Sequence, residues 1–176
     1  MLDRGFRLGD VVFDTSRTFN GHVFRLMDHL QRLYRSLQYT RIDPGMSTEE
    51  MERVTLEVVE RNEEMRKAAG DDYMITQIVT RGEGGVTGQI TANVSIWIDP
   101  IDYVRYAPLY DSGAHVVIPR TRSFTSDQLD PKVKHYSRLS FVMADLEARD
   151  VDPDAFSVML DSDGNVSESG GANFFI

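Results

Sequence analysis

Hydrophobic and polar positions divide the chain into a strand-rich first half and a mixed second half. Residues 11–19 (VVFDTSRTF) have the β-branched and aromatic character of a strand. Asn20-Gly21 is a two-residue hairpin signal, so HVFRL is predicted to return as a second strand. Leu26, Leu30, Leu33 and Leu37 then recur at helical spacing, which predicts a helix over 28–38 with His29, Arg32 and Ser36 beside the stripe. After the break at Ile42-Asp43-Pro44-Gly45, Ser47 and Glu50 form a capping-box signature. It opens a helix expected to run to Ala69 and to end at Gly70, with Met51, Val54, Leu56, Val58 and Val59 as an imperfect stripe. Residues 73–81 and 92–98 read as strands, the second stopped by Pro100, around a glycine-rich, mobile hairpin loop at 83–89.

Residues 103–113 hold Pro108 and three tyrosines without a clear period and read as a linker. A strand is predicted at 114–118, an irregular polar stretch at 119–131, and a helix at 137–149 with Leu139, Val142, Met143 and Leu146 facing inward. A strand at 155–160, a tight turn at 161–165 and a strand from Val166 complete the pattern. Strands and helices mix without regular alternation, so the expected class is α+β. The expected organisation is an N-terminal domain at 1–102, a linker at 103–112 and a second domain from 113 to 176.

Composition narrows the function classes. The chain has 176 residues, 41% hydrophobic and 27% charged, enough for one large domain or two small ones. A net charge of -9 argues against an extended nucleic-acid or anionic-membrane surface. Cysteine is absent, which removes disulfides, thiolate metal sites and cysteine nucleophiles, and is compatible with the cytosol. No apolar run approaches the ~20 residues of a membrane helix, and MLDRGFRLGDVVF carries charges where a secretion signal needs an apolar core.

The stretch from Asp130 to Asn173 holds the candidate chemistry. Lys132 and Lys134 precede the helix at 137–149; in an extended segment they point to the same side. A lysine becomes a nucleophile when burial or neighbouring cations favour loss of its proton, and Lys134 is the one nearer the apolar helix. Most lysines are solvated surface groups, so this segment alone is only a candidate. Glu168, followed by Ser169-Gly170-Gly171, reads either as a solvated turn carboxylate or as one held against a cationic ring nitrogen, with glycines allowing close backbone approach. Arg32 reads either as a helix-surface arginine paired with Asp28 or as a fork for phosphate oxygens. The histidines at 22, 29, 115 and 135 lack metal-ligand spacing; His22 and His115 lie in predicted strands and are expected to be packed. Asp161-Ser162-Asp163-Gly164 lacks the twelfth-position glutamate of a calcium loop and reads as a hairpin turn, so no metal site is expected.

Three separated patches resemble the class IV, fold type IV, pyridoxal-phosphate aminotransferases, a family with branched-chain, D-amino-acid and (R)-amine branches. The first comprises Asp3-Arg4-Gly5-Phe6, Gly9-Asp10, Phe13-Asp14, Asn20-Gly21, Phe24, His29, Arg32-Leu33 and Ser36. The second is Lys134 followed thirteen residues later by Glu147-Ala148. The third, Glu168-Ser169-Gly170-Gly171-Ala172-Asn173-Phe174-Phe175, matches the start of the family signature.

The resemblance implies a two-subdomain fold whose second domain is incomplete here, and a chain cut at the C-terminus and at the N-terminus. It implies pyridoxal 5'-phosphate as cofactor. Lys134 would carry it covalently and then move the substrate proton, Arg32 would bind its phosphate, and Glu168 would partner its ring nitrogen. Asn173 would lie near it, while Phe13 and Arg138 would belong to the substrate pocket. His135-Tyr136-Ser137-Arg138-Leu139 departs from the branched-chain pattern, with Arg138 near the place of a tyrosine, which leaves the D-amino-acid and (R)-amine branches open. The implied reaction is transamination between an amino acid or amine and a 2-oxo acid, in a cytoplasmic homodimer. The alternatives are a lyase of the aminodeoxychorismate type and a non-catalytic truncated homologue. The 176-residue chain by itself is expected to bind cofactor poorly.

Overall fold

The computed structural model describes residues 2–69, 72–85 and 91–175. The chain forms two compact units, Met1–Ile101 with Val133–Tyr136, and Asp102–Lys132 with Ser137–Ile176.

The first unit opens with the short helix α1 (Arg4–Leu8) and is built on an antiparallel sheet of β1 (Val11–Phe19), β2 (His22–Val23), β3 (Tyr73–Thr80) and β4 (Asn93–Pro100), in the order β2-β1-β3-β4. Val12, Asp14, Ser16 and Thr18 alternate to the buried face of β1, leaving Phe13, Thr15 and Arg17 on the other. Asn20 (φ 51°) and Gly21 (φ 79°) both take the left-handed conformation that a two-residue hairpin turn requires. Asp72 accepts their backbone N–H groups at 3.0 and 2.8 Å and fixes the tip. The returning strand is shorter than HVFRL predicts: Arg25 adopts φ 50°, and the chain turns directly into α2 (Leu26–Thr40).

Along α2, Leu26, Leu30, Leu33 and Leu37 form the buried stripe, packed with Val12, Val79 and Met51. Leu33 is fully buried, so Leu33→Ala should destabilise the first unit by about 2–5 kcal/mol; a urea-unfolding midpoint that does not move would contradict this packing. The capping box forms as expected, with Ser47 Oγ accepting from Glu50 N and Glu50 Oε2 accepting from Ser47 N. The helix it opens, α3 (Thr48–Arg61), stops at Asn62, and α4 (Glu63–Ala69) follows, where the sequence pattern predicts one helix. Asn62 caps the break by donating its side-chain amide to Val58 O at 2.8 Å. Met51, Thr55 and Val59 are the buried positions of α3, whereas Leu56 is exposed. Gly70 and residues 86–89 of the predicted glycine-rich loop lie outside the described residues.

In the second unit, β5 (Val116–Val117) runs parallel to β6 (Phe156–Leu160), and β6 pairs antiparallel with β7 (Val166–Ser169). The stretch read as a linker contains two helical turns, α5 (Tyr103–Tyr106) and α6 (Leu109–Ser112). The helix α7 (Leu139–Val151) contradicts the expected inward face: Phe141, Ala144 and Ala148 are buried, while Leu139, Val142, Met143 and Leu146 are 45–73% exposed. Two apolar stripes run along this helix at helical spacing, and small alanines allow the closer approach to β6. The β6–β7 turn is closed by Asp161 Oδ1, which accepts from the backbone N–H of Asp163 and Asn165 at 2.9 and 2.8 Å. Neither His22 nor His115 is packed: both are exposed, and His115 Nδ1 lies 2.7 Å from Asp152 Oδ2.

Candidate active site

Lys134 reaches the first unit because its backbone docks on the edge of β1. Phe13 N donates to Lys134 O at 3.0 Å, Tyr136 N donates to Val11 O at 3.3 Å, and Val12 and His135 form an antiparallel bridge. Val133 is buried in the leucine core and anchors the segment. Alternation then places Lys134 and Tyr136 on one side of it. The Lys134 Nζ stands 4.7 Å from the centre of the Phe13 ring, and the Phe13 and Tyr136 rings meet at a tilt of 49° with 4.2 Å between centroids. The Lys134 side chain is half-buried and its amine faces the Phe13 ring.

The lysine backbone is also tied to α2. Lys134 N donates to Ser36 Oγ at 3.2 Å, and Ser36 Oγ donates to Arg32 O at 3.2 Å. Arg32 does not pair with Asp28, which binds Arg25 at 2.8 Å. Its Nε and Nη2 instead donate to the two oxygens of Asp14, each at 2.7 Å. His29 Nδ1 lies 2.8 Å from Asp14 Oδ1. The Asp14 side chain is fully buried, whereas those of Arg32 and His29 are 42% and 25% exposed.

Burial by itself would raise the Asp14 pKa; hydrogen bonds and charge from Arg32 and His29 outweigh it, and the carboxyl lies below its ordinary value of 3.8. Arg32 is raised, chiefly by its hydrogen bond to Asp14. A carboxylate with a depressed folded pKa stabilises the fold above its unfolded pKa, and this contribution fades as pH falls through the folded value. Urea unfolding from pH 7 to pH 2 should therefore show a stability difference between the protein and its Asp14→Asn variant that holds at neutral pH and shrinks below about 3.8. A difference independent of pH would contradict the ion pair.

The second unit holds the other expected residues. Glu168 lies on β7 opposite Met159 of β6 and is half-buried. With Asn173, Ala172 and Phe174 it lines a cavity of about 440 Å³. Arg138 donates from Nη2 to Gly170 O at 2.5 Å and lies 3.4 Å over the Phe141 ring, so the start of α7 holds the Ser169-Gly170-Gly171 turn. A Cβ on Gly170 would come within 3.2 Å of Asp145 Oδ2, which is why glycine suits this position. Glu147 and Ala148 also acquire physical roles. Ala148 is buried on the inner face of α7, and Glu147 accepts from Arg120 N at 2.5 Å and Thr121 Oγ1 at 2.7 Å, fixing the entrance to the 119–131 stretch.

The sequence by itself assigns no role to Tyr136, Asp14 or Ser36. Tyr136 could have been found from its two-residue spacing to Lys134. For Asp14 the signal was a carboxylate in the buried phase of a strand, opposite a helix that carries His29 and Arg32.

The chain shares its architecture with solved branched-chain aminotransferases. That from Escherichia coli superposes with a TM-score of 0.86 over 98% of this chain and 58% of the other, at 21% identity. That from Thermoproteus uzoniensis, solved with norvaline, gives 0.76 over 98% and 57%, at 26% identity. The fold is therefore the fold type IV arrangement, an α+β fold. The pattern of the amino-transferase class IV family matches residues 11–176, and the chain belongs to that family. A Methanocaldococcus jannaschii protein provisionally named a branched-chain-amino-acid aminotransferase is 33% identical over 100% of this chain and 59% of its own length. The D-alanine aminotransferase of Bacillus licheniformis is 28% identical over 99% and 58%. The chain thus spans about three fifths of the length of these two relatives.

Proposed function

We propose that this protein transfers an amino group between an amino acid or amine and a 2-oxo acid, using pyridoxal 5'-phosphate. Family membership supports the reaction type. One structural neighbour, a branched-chain amino acid aminotransferase, was solved in complex with N-(5'-phosphopyridoxyl)-L-glutamate. The single observation that carries the reading is the placing of Lys134: docked on β1, with its amine against Phe13 and its backbone linked through Ser36 to the helix that bears Arg32.

The donor set suits the cofactor. A primary amine can condense with an aldehyde carbon with loss of water, a braced guanidinium can meet a phosphate, and a half-buried carboxylate can keep a ring nitrogen protonated. Lys134 would hold pyridoxal phosphate covalently, Arg32 would take its phosphate and Glu168 its ring nitrogen, with Asn173 beside them. Bound, the cofactor supplies the electron sink for the pair left at the donor Cα. Once the donor's amino group has displaced it from the cofactor, Lys134 Nζ would be free to take the Cα proton of the amino donor and, in the return half-reaction, to give a proton to the carbon of the 2-oxo acid. Phe13 and Tyr136 would present aromatic carbon beside Lys134. Arg138, through Gly170, holds the turn that follows Glu168.

The assembly we propose is a homodimer working in the cytoplasm. Among the described residues, no helix is long and apolar enough to cross a membrane. The test is to incubate the protein with pyridoxal phosphate, an amino donor and a 2-oxo acid. Formation of the new amino acid should require the acceptor. Turnover of the donor without any acceptor would move the assignment to a lyase, and no turnover across branched-chain, D-amino-acid and (R)-amine donors would contradict the reading.

A further inference from the structure

We infer that Asp14 is a positioning residue, which fixes the Arg32 guanidinium as a directional receptor for the cofactor phosphate. The inference rests on the assignment of Arg32 above and adds a residue to it. Asp14 is fully buried, and it accepts the Nε and Nη2 edge of Arg32 with two bonds of 2.7 Å. A fork–fork pair fixes the guanidinium plane as well as its location. Asp14 is itself immobile: it lies within β1, paired with Gln77 of β3, and its Oδ1 accepts the backbone N–H of Thr15 at 2.8 Å. His29 Nδ1 completes the carboxylate shell at 2.8 Å. Among the charged and titratable groups, Asp14 is thus met from α2 by both Arg32 and His29. Ser36 of the same helix binds the Lys134 backbone independently of Asp14.

Two effects of Asp14 on an anion oppose each other. Its negative charge weakens the general attraction of Arg32 for anions, while its geometry holds the guanidinium in one orientation. Arg32 is 42% exposed, so the general attraction is screened by solvent and salt. An unbraced arginine must lose rotamer freedom on binding. The geometric effect wins for a phosphate whose place is set by the rest of the cofactor.

The test compares pyridoxal phosphate with pyridoxal, which lacks the phosphate, by spectroscopic titration of the whole protein and its variants. The protein should prefer pyridoxal phosphate, and Arg32→Gln should lose that preference. Asp14→Asn should reduce the preference by about tenfold, one good charge-assisted bond, while affinity for pyridoxal stays within about twofold. The double variant should lose no more preference than Arg32→Gln alone. Should Asp14→Asn prove unfolded by circular dichroism, Asp14→Glu, which keeps the charge and shifts the fork, should show an intermediate preference. Equal weakening of both ligands would reveal a structural role only and overturn the inference. An unchanged or increased preference in Asp14→Asn, with Arg32→Gln behaving as expected, would overturn the inference and leave the cofactor reading standing. If the unaltered protein shows no preference for the phosphate, the assignment of Arg32 falls, and the inference with it.

Discussion

Lys134→Met is expected to lower amino-transfer turnover by about 10³-fold or more and to abolish covalent retention of the cofactor. Positioned acid–base groups contribute roughly 10²–10⁴-fold, and this residue would also supply the attachment. Methionine suits the test because it preserves length and apolar contact with Phe13, so the core contributed by Val133 should not collapse. The backbone bonds to Phe13 and Ser36 do not depend on the side chain. Circular dichroism and the urea midpoint should therefore stay near those of the unaltered protein while turnover disappears. Residual turnover within tenfold would remove Lys134 from the proposed chemistry. Lys132→Met provides the control: its exposed side chain precedes the docked segment, and it should leave turnover within about twofold.

Glu168→Gln should come second in effect, at about 10²–10³-fold in turnover, the cost of removing one preorganised electrostatic partner. Shape on β7 is kept, while the charge is lost and one acceptor oxygen becomes an amide donor. The expected signature is a fall in kcat larger than any change in cofactor affinity, because the carboxylate is needed most when electron density moves into the ring. Equal losses of affinity and kcat would point instead to a role in building the β6–β7 edge. Asn173→Ala, on the same cavity, should cost much less because it removes no charge.

The leucine stripe of α2, the alternation of β1, the Asn20-Gly21 turn and the Ser47–Glu50 cap were legible because each is a local signal: period, turn chemistry or cap chemistry. The second unit was harder to read. Along α7 both candidate faces satisfy helical spacing, and the choice of Phe141, Ala144 and Ala148 depends on how closely β6 can approach. The break at Asn62 comes from a side chain satisfying its own helix end, which competes with a continuing helical pattern. Strands at 114–118 and 155–160 were legible, but the first shortens to the two residues of β5, and its parallel pairing of Val116 with Phe156 spans a long separation that leaves no mark on local sequence.

For the site, residue types were readable from the family resemblance, while their relations were not. Arg32 on a helix and Asp14 on a strand are eighteen positions apart, and only the sheet–helix packing makes them a fork. The docking of Lys134 on β1 is likewise a long-range event, since Phe13 N reaches a carbonyl far along the chain. Arg138, read as a substrate-pocket residue, meets the Gly170 carbonyl, a contact that its sequence neighbourhood does not suggest.

All of the proposed chemistry turns on which lysine carries the cofactor. The sequence contains Lys67, Lys132 and Lys134 and no other lysine, so the answer is unambiguous. The protein should be saturated with pyridoxal phosphate, reduced with borohydride and digested, and the phosphopyridoxyl mass located among its peptides. Whatever label is retained is expected on Lys134, with Lys132 and Lys67 nearly bare. Label spread evenly over the lysines, or concentrated on Lys132 or Lys67, would contradict the assignment.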